Sequence, residues 1–327
     1  MAPRTLRPLF LATIILVVIC LFFWSPSLGS ASLYYVDPYS WGGPGAPSLA
    51  GRVRDEEMRY MATLKARQGL VEKYGPTKED IRSYPTVGSY TLWDFFIASF
   101  QCPHRVERIG ALGDGGKWVC GLDRIAKQKN ASSILSTGIN GESSFEAALM
   151  ERAPGCQVWG YDFTVDKFGP EVEESPALKQ RAHFRPWGLS GHNAHGPDDQ
   201  PRYYTLDALM RLNGHSFIDV LKIDIEGAEF ATMTAFLAAH KPRSHFSTTT
   251  LPIGQLQLEL HAWDDYANFT YFHDWWTALE DAGLRPFWTE PNLVYVNYAN
   301  GAKPHLSEYS FINIRGNHSL VYGPLEG

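Results

Sequence analysis

Residues 220–230, VLKIDIEGAEF, set Lys222, Asp224 and Glu226 at alternate positions of an apolar run, followed by Gly227 and Glu229. A strand turns successive side chains to opposite faces, so Leu221, Ile223 and Ile225 are predicted to share one face and Lys222, Asp224 and Glu226 the other. Fully buried parallel strands usually read as continuous apolar runs. Polar groups gathering toward a strand's carboxyl end fit the edge of a site, because open α/β sheets bind ligands there. A half-exposed antiparallel strand with a solvated charged face would show the same alternation.

A second segment, STGINGESSFE, reads as a strand, a turn and a helix. Gly138 and Gly141 let the chain turn sharply and a ligand approach closely, and the helix behind them starts with free N–H groups. No Lys follows, which excludes a phosphate loop, and the third glycine of a dinucleotide fingerprint is missing. Asp162, in WGYDFT, ends the next strand 24 residues after Gly138. A carboxylate placed about 20 residues beyond such a turn can take both hydroxyls of a ribose. Turn and carboxylate together describe an adenosine-type site without a phosphate cradle, which suits S-adenosylmethionine better than NAD. Asp162 capping a helix is the structural alternative.

STGINGESSFE, VWGYDFT, YTLDAL and VLKIDIEGAEF resemble the FkbM-type branch of S-adenosylmethionine-dependent methyltransferases. Within that branch they are similar to a membrane-anchored, methyltransferase-like family of the secretory pathway, as are the GDGGKWVC stretch and the short N-terminal apolar run. The resemblance covers about residues 85–315, with one departure: Ser136 and Thr137, not an acidic residue, precede Gly138. It implies a Rossmann-like methyltransferase fold, an α/β fold in which Gly138, Asn140, Gly141 and Asp162 hold S-adenosylmethionine.

In such a fold the strand of Lys222 is the fourth, and QLQLELHAW the fifth and its neighbour. That neighbour alternates too, with Gln257, Glu259 and His261 on one face. Asp224, Glu226, Glu259 and His261 would then surround the methyl acceptor, with Asp224, Glu226 and His261 as the catalytic candidates. Methyl transfer from a sulfonium leaves little charge to stabilise, so positioning dominates. A hydroxyl acceptor also loses a proton, for which Glu226 or His261 is a plausible base. Two carboxylates and a histidine can equally hold a divalent metal, although no metal is assigned, and a purely structural His261 is an equal alternative. Glu229 reads as a partner for the N-terminal dipole of the next helix. The acceptor class implied is a hydroxyl on a glycan or a secreted small molecule.

The elements behind these groups alternate. SSILSTGI, CQVWGYDF, HFRPWGLS, IDVLKIDI and IGQLQLELHAW read as strands. NGESSFEAALMERA, YTLDALMRL, GAEFATMTAFLAAH and YFHDWWTALEDAG read as the helices between them, the first with Ser143 and Glu146 spaced as a capping box. Such alternation predicts a mainly parallel sheet with helices on both faces. LVYVNY and EYSFINIRG are predicted to close the sheet as an antiparallel edge. Upstream, TLWDFFIASF is predicted as a helix presenting Leu92, Phe95, Phe96 and Phe100. VERIGALGDGGKWVCGL is predicted as two short strands about a glycine-rich turn. Residues 55–73 are predicted as a helix with Met58, Met61, Leu64 and Val71 on one face. The loop carrying His192, His195, Asp198 and Asp199 reads as exposed, with a lid over the acceptor as its functional alternative.

Of 327 residues, 44% are hydrophobic, enough for a large core. A net charge of −6 and a pI near 6.0 leave no basic footprint for nucleic acid. Arg4 and Arg7 precede an uncharged run, residues 9–24, which predicts a signal anchor with a cytosolic tail and a luminal body. A cleaved signal peptide ending near Gly29-Ser30-Ala31 is the alternative. The expected organisation is a tail over 1–8, an anchor over 9–24, a stem with one amphipathic helix over 25–84 and the methyltransferase-like domain over 85–327. The expected location is the ER or Golgi, as a single-pass type II membrane protein. Acceptor triplets at Asn130, Asn268 and Asn317 agree with a lumen. An oxidising lumen permits one disulfide. Cys102 and Cys120 flank the predicted hairpin and are the expected pair; three buried thiols are the alternative. A metal-dependent glycosyltransferase using Asp224 and Glu226, and a non-catalytic protein that kept the fold, compete with the methyltransferase reading.

Overall fold

The computed structural model describes residues 48–81, 91–128, 133–241, 250–298 and 304–323. The expected tail and anchor, the first part of the stem and Asn130 lie outside the described residues. No helix among the described residues is long and apolar enough to cross a membrane.

Seven strands form the central sheet: β3 (Ser133–Thr137), β4 (Gln157–Tyr161), β5 (Ala182–Arg185), β8 (Ile218–Ile223), β9 (Ile253–His261), β10 (Leu284–Pro291) and β11 (Leu306–Asn313). Their order is β10-β11-β9-β8-β3-β4-β5, with β9, β8, β3, β4 and β5 mutually parallel and β11 antiparallel to both its neighbours. From β3 the chain winds outward through β4 to β5, then returns to β8 and winds the other way through β9. The switch point therefore falls between β3 and β8, where a parallel sheet opens a crevice at its carboxyl ends. Every residue of β8 and β9 is buried. This removes the half-exposed antiparallel reading of VLKIDI.

Helices α2 (Ser144–Arg152), α3 (Leu206–Asn213), α4 (Glu229–Ala239) and α5 (Phe269–Asp281) cover the sheet. Two short strands, β1 (Val106–Ile109) and β2 (Lys117–Cys120), make the expected antiparallel hairpin, and a disulfide joins Cys102 to Cys120. Cys156 is a buried thiol.

Several expectations need correction. The helix expected over 55–73 runs as α1 (Leu49–Tyr74), but Met58 and Met61 are exposed. Val71 is buried and Leu64 packs against the core as expected, and the rest of the buried face carries Val53, Tyr60, Arg67 and Tyr74 at seven-residue spacing, Tyr74 only partly so. Arg67 pairs with Glu280 of α5 at 2.8 Å and Tyr60 donates to the same carboxylate, so polar groups that satisfy one another occupy positions an apolar pattern overlooks. This helix lies in the same compact unit as the sheet. TLWDFFIASF forms only one helical turn, Leu92–Phe95, yet Leu92, Phe95, Phe96 and Phe100 are all buried. Phe96 leaves that turn to enter an aromatic cluster with Phe272 and Trp276, at centroid distances of 4.8 and 5.2 Å.

HFRPWGLS divides into β5 and the two-residue β6 (Gly188–Leu189), which pairs with β7 (Tyr203–Tyr204). LVYVNY is a helix, α6 (Leu293–Tyr298), begun by Asn292, whose side-chain oxygen accepts the Tyr295 N–H at 2.9 Å. The edge strand is β10 instead, where Pro286 sits beside a register shift that an edge strand tolerates. Ser143 and Glu146 make no capping box. The Ser143 hydroxyl accepts the Gly169 N–H, and Glu146 turns inward to accept from Ser136.

Candidate active site

Across the sheet, Ser136, Lys222 and Gln257 lie side by side in register on β3, β8 and β9. The Lys222 ammonium donates to the Gly138 carbonyl at 2.8 Å and stands 3.9 Å from the Glu146 carboxylate. A buried lysine thus braces the turn after β3 from beneath. In that turn Gly138 has φ +71°, and a Cβ there would lie 1.7 Å from the Asp224 carbonyl oxygen. The β3 and β8 ends meet so closely that only glycine fits. Asn140 and Gly141 also carry positive φ, 44° and 74°.

Asp162 faces the same turn. Its Oδ2 accepts the Asn140 N–H at 2.8 Å, and its Oδ1 accepts the Thr164 N–H and hydroxyl at 2.7 and 2.6 Å. An ionised carboxylate offers about four lone-pair sites, so one remains for a ligand hydroxyl. The N–H groups it accepts belong to turn residues and not to a helix, so Asp162 does not act as a helix cap.

A cavity of about 620 Å3 opens over this switch point. It brings Gly138, Asn140 and Asp162 together with Asp224, Glu226, Glu259 and His261; Gly141 does not line it. The β4–β5 side of the cavity is closed by Phe163, Leu189 and Tyr203, the opposite side by Trp263, Asn292 and Tyr295. None of His192, His195, Asp198 and Asp199 lines it; His195 stacks on Tyr204 with centroids 4.4 Å apart.

His261 ends β9, almost fully buried, with Nδ1 2.9 Å from Glu229 Oε1 and Nε2 3.4 Å from Glu226 Oε2. Glu229, wholly buried, also accepts the N–H groups of Ile225 and Gly227 at 2.9 and 3.1 Å. It is a strut between loop and imidazole rather than a simple dipole partner. Burial alone would depress the His261 pKa, but the Glu229 bond and the surrounding carboxylates raise it to about 9. At neutral pH the ring carries a proton and acts as a donor. Glu226 has φ +56°, and its exposed carboxyl is pushed up by desolvation and by Asp224, with His261 opposing.

Deeper in, Glu259 is pushed up to about 9 by burial and by Asp224 and Glu308, and it accepts from Asn292 at 2.9 Å. Lys117 of the hairpin pairs with Glu308, directly opposite Glu259 in register, and those acids hold its ammonium protonated against the effect of burial. Asp114, at the hairpin tip, receives a bond from Asn292 at 3.3 Å and joins the cavity wall.

Sequence patterns alone did not disclose Asp114, Asn292 or the strut role of Glu229. The signal for Glu229 was present, since it follows two positions after Gly227 in a turn that leaves N–H groups free. No Lys or Arg among the described residues lines the cavity. An acidic cavity of this size fits a cationic methyl donor and offers a nucleotide diphosphate no basic contact. Its volume lies within the roughly 300–1,000 Å3 typical of small-molecule sites.

A family model described as a methyltransferase domain matches residues 63–302. No curated protein matches the chain. Among solved structures it is similar to the fibrillarin pre-rRNA processing protein of Methanococcus jannaschii, at 14% identity over 69% of this chain and 85% of that one, with a TM-score of 0.32. It is also similar to the mitomycin 7-O-methyltransferase MmcR, at 15% identity over 59% of this chain and 52% of that one, with a TM-score of 0.29. An O-methyltransferase family 2 protein from Planctomyces limnophilus, in complex with apigenin, shares 11% identity over 59% of this chain and 56% of that one, with a TM-score of 0.31. The chain spans about half the length of the last two.

Proposed function

The chain belongs to the methyltransferase-domain family, and from that premise we propose that it is an S-adenosylmethionine-dependent methyltransferase that methylates a hydroxyl oxygen of a glycan or a secreted small molecule. One observation carries the reading: the Gly138–Asn140 turn with Asp162, and the Asp224–Glu226–His261 group, face one cavity across the β3/β8 switch point. Bound S-adenosylmethionine would supply a methyl carbon on a positively charged sulfur. Gly138, Asn140 and Asp162 would hold it, with the remaining Asp162 lone pair on a ribose hydroxyl; Gly141 would shape the turn.

The acceptor then belongs beside Asp224, Glu226 and His261. Its oxygen would take the methyl carbon, and the electron pair of the carbon–sulfur bond would stay on sulfur. Glu226 takes the hydroxyl proton, because protonated His261 serves as a donor that orients the carboxylate or the acceptor. The Cys102–Cys120 disulfide and the exposed acceptor asparagines Asn268 and Asn317 support a luminal body carried on the N-terminal segment. The resemblance to the FkbM-type branch supports oxygen over nitrogen as the acceptor atom.

The test is a labelled methyl-donor screen on secretory-pathway extracts with the full chain, followed by identification of the labelled product. Glu226→Gln should lower turnover strongly with cofactor affinity nearly intact, and Asp162→Ala should weaken cofactor binding first. Label found only on protein nitrogen, or a Glu226→Gln enzyme of undiminished rate, refutes the assignment.

A further inference from the structure

We propose that Asp224, Glu226 and His261 bind one divalent metal ion that takes both nitrogen and oxygen ligands, of the Mn2+ type. In its role this deepens the methyl-transfer reading and rests on it; the binding itself does not.

The ligand atoms of the three residues all lie within 4.8 Å of one another and face the cavity. An ion bound at about 2.0–2.2 Å from nitrogen and oxygen donors holds them no more than about 4.4 Å apart, so a pair at the upper limit must draw in by a few tenths of an ångström. The carboxylates come from the loop after β8 and the imidazole from the end of β9, neighbouring parallel strands, so the sheet itself fixes their spacing.

An independent observation lies in the imidazole. His261 is 1% exposed, and among the described residues its Nδ1 is hydrogen-bonded to Glu229 while its Nε2 faces Glu226 at 3.4 Å, close to the separation of two adjacent ligands on one ion. A buried carboxylate that takes one ring nitrogen and presents the other is the arrangement that orients metal-bound histidines. Glu229 is fixed in turn by the Ile225 and Gly227 N–H groups, so it cannot follow the ring if the ring swings.

The neighbouring trio Asp114, Glu259 and Glu308 also lies within ligand distance but differs in kind. Lys117 already neutralises Glu308, and Asn292 donates to Glu259. With three protein ligands, the His261 site would leave positions open. An acceptor hydroxyl in one of them would have its pKa lowered by the ion, as metal-bound water does. The ion would displace the proton on Nε2, so its binding releases a proton; in the ion-bound chain His261 is then a ligand instead of a donor, and the acceptor proton passes to the uncoordinated oxygen of Glu226.

The experiment titrates the full chain with Mn2+ alone, with neither methyl donor nor acceptor, following free Mn2+ by electron paramagnetic resonance. One bound Mn2+ per chain is expected. Asp224→Asn and His261→Ala should each weaken it at least tenfold, and Glu229→Gln by roughly 10–100-fold. Electron spin-echo modulation of the bound ion in the unaltered chain should show one directly coordinated nitrogen, a readout that needs no variant to fold. No bound Mn2+ at millimolar concentration, or a bound ion lacking nitrogen coordination, overturns the proposal. S-adenosylmethionine binding, measured separately by calorimetry, reports on the methyltransferase site, so the two readings fail independently.

Discussion

Glu229 Oε1 accepts three hydrogen bonds at once, from His261 Nδ1 at 2.9 Å and from the Ile225 and Gly227 N–H groups. One buried carboxylate thereby ties the loop after β8 to the end of β9. Its charge, next to burial, is what sets the proton affinity of His261. Glu229→Gln keeps the shape and an accepting oxygen but removes the charge. The His261 pKa should then fall from about 9 toward 6.5, read by NMR titration of the ring protons. A pKa that stays near 9 would assign the shift to other carboxylates.

Gly138→Ala should be poorly tolerated. Its Cβ would meet the Asp224 carbonyl oxygen at 1.7 Å, and φ is +71°. The strands must separate or the turn must change, at a cost of about 1–3 kcal/mol for the backbone strain alone. A lower melting temperature and a loss of S-adenosylmethionine affinity are expected by scanning and titration calorimetry. Gly69 is the contrast: it lies inside α1 with nothing within 4 Å of an added Cβ. Gly69→Ala should raise stability by about 0.5–1 kcal/mol.

Stability should fall as pH rises from about 4.5 to 9. Glu259 has its folded pKa raised from 4.5 to about 9, so the folded state holds a proton that the unfolded state has released. His261, raised from 6.5 to about 9, acts in the same direction over the upper part of that window. Chemical denaturation at stepped pH measures the slope. Glu259→Gln should flatten it, and an unchanged slope in that variant would point to a different group.

Arg67 and Glu280 are both nearly buried, with side chains 5% and 7% exposed, and Tyr60 and the Trp276 indole donate to the same carboxylate. Arg67→Ala leaves that acid without its cation, a loss of about 3–5 kcal/mol for a buried pair. Urea denaturation should show it. A loss below 1 kcal/mol, near the value of an exposed pair, would mean that water replaces the guanidinium.

The parallel body and its cavity were legible because β-branched runs, glycine turns and alternating carboxylates act locally. Gly138, Asp162, Asp224, Glu226 and His261 converge as their positions in the strands require. What escaped was long-range satisfaction of polar groups. Arg67 on a buried helix face and Glu229 bonded to His261 each find a partner that no window of sequence contains, and Glu146 turns onto Ser136 at the far end of its own motif where a capping pattern suggested otherwise. LVYVNY reads as a strand by composition, but Asn292 starts a helix there while the proline-bearing β10 takes the edge. The apolar set Leu92, Phe95, Phe96 and Phe100 was legible as core while its period was not, since Phe96 follows the aromatic cluster rather than a helix.

The hairpin of β1 and β2 is fastened to the sheet at several points. Gln255 exchanges bonds with both the N–H and the carbonyl of Cys120, Lys117 reaches Glu308, and Trp118 stacks on Trp288 at 3.9 Å. Its tip delivers Asp114 to the cavity wall that Asn292 and Tyr295 continue. The cavity is therefore assembled from two inheritances: strand ends of the wound sheet on one side, and appended segments that lie outside β3, β4, β5 and β8 on the other. A change in the hairpin tip or in α6 therefore alters one wall of the cavity without touching the turn around Gly138.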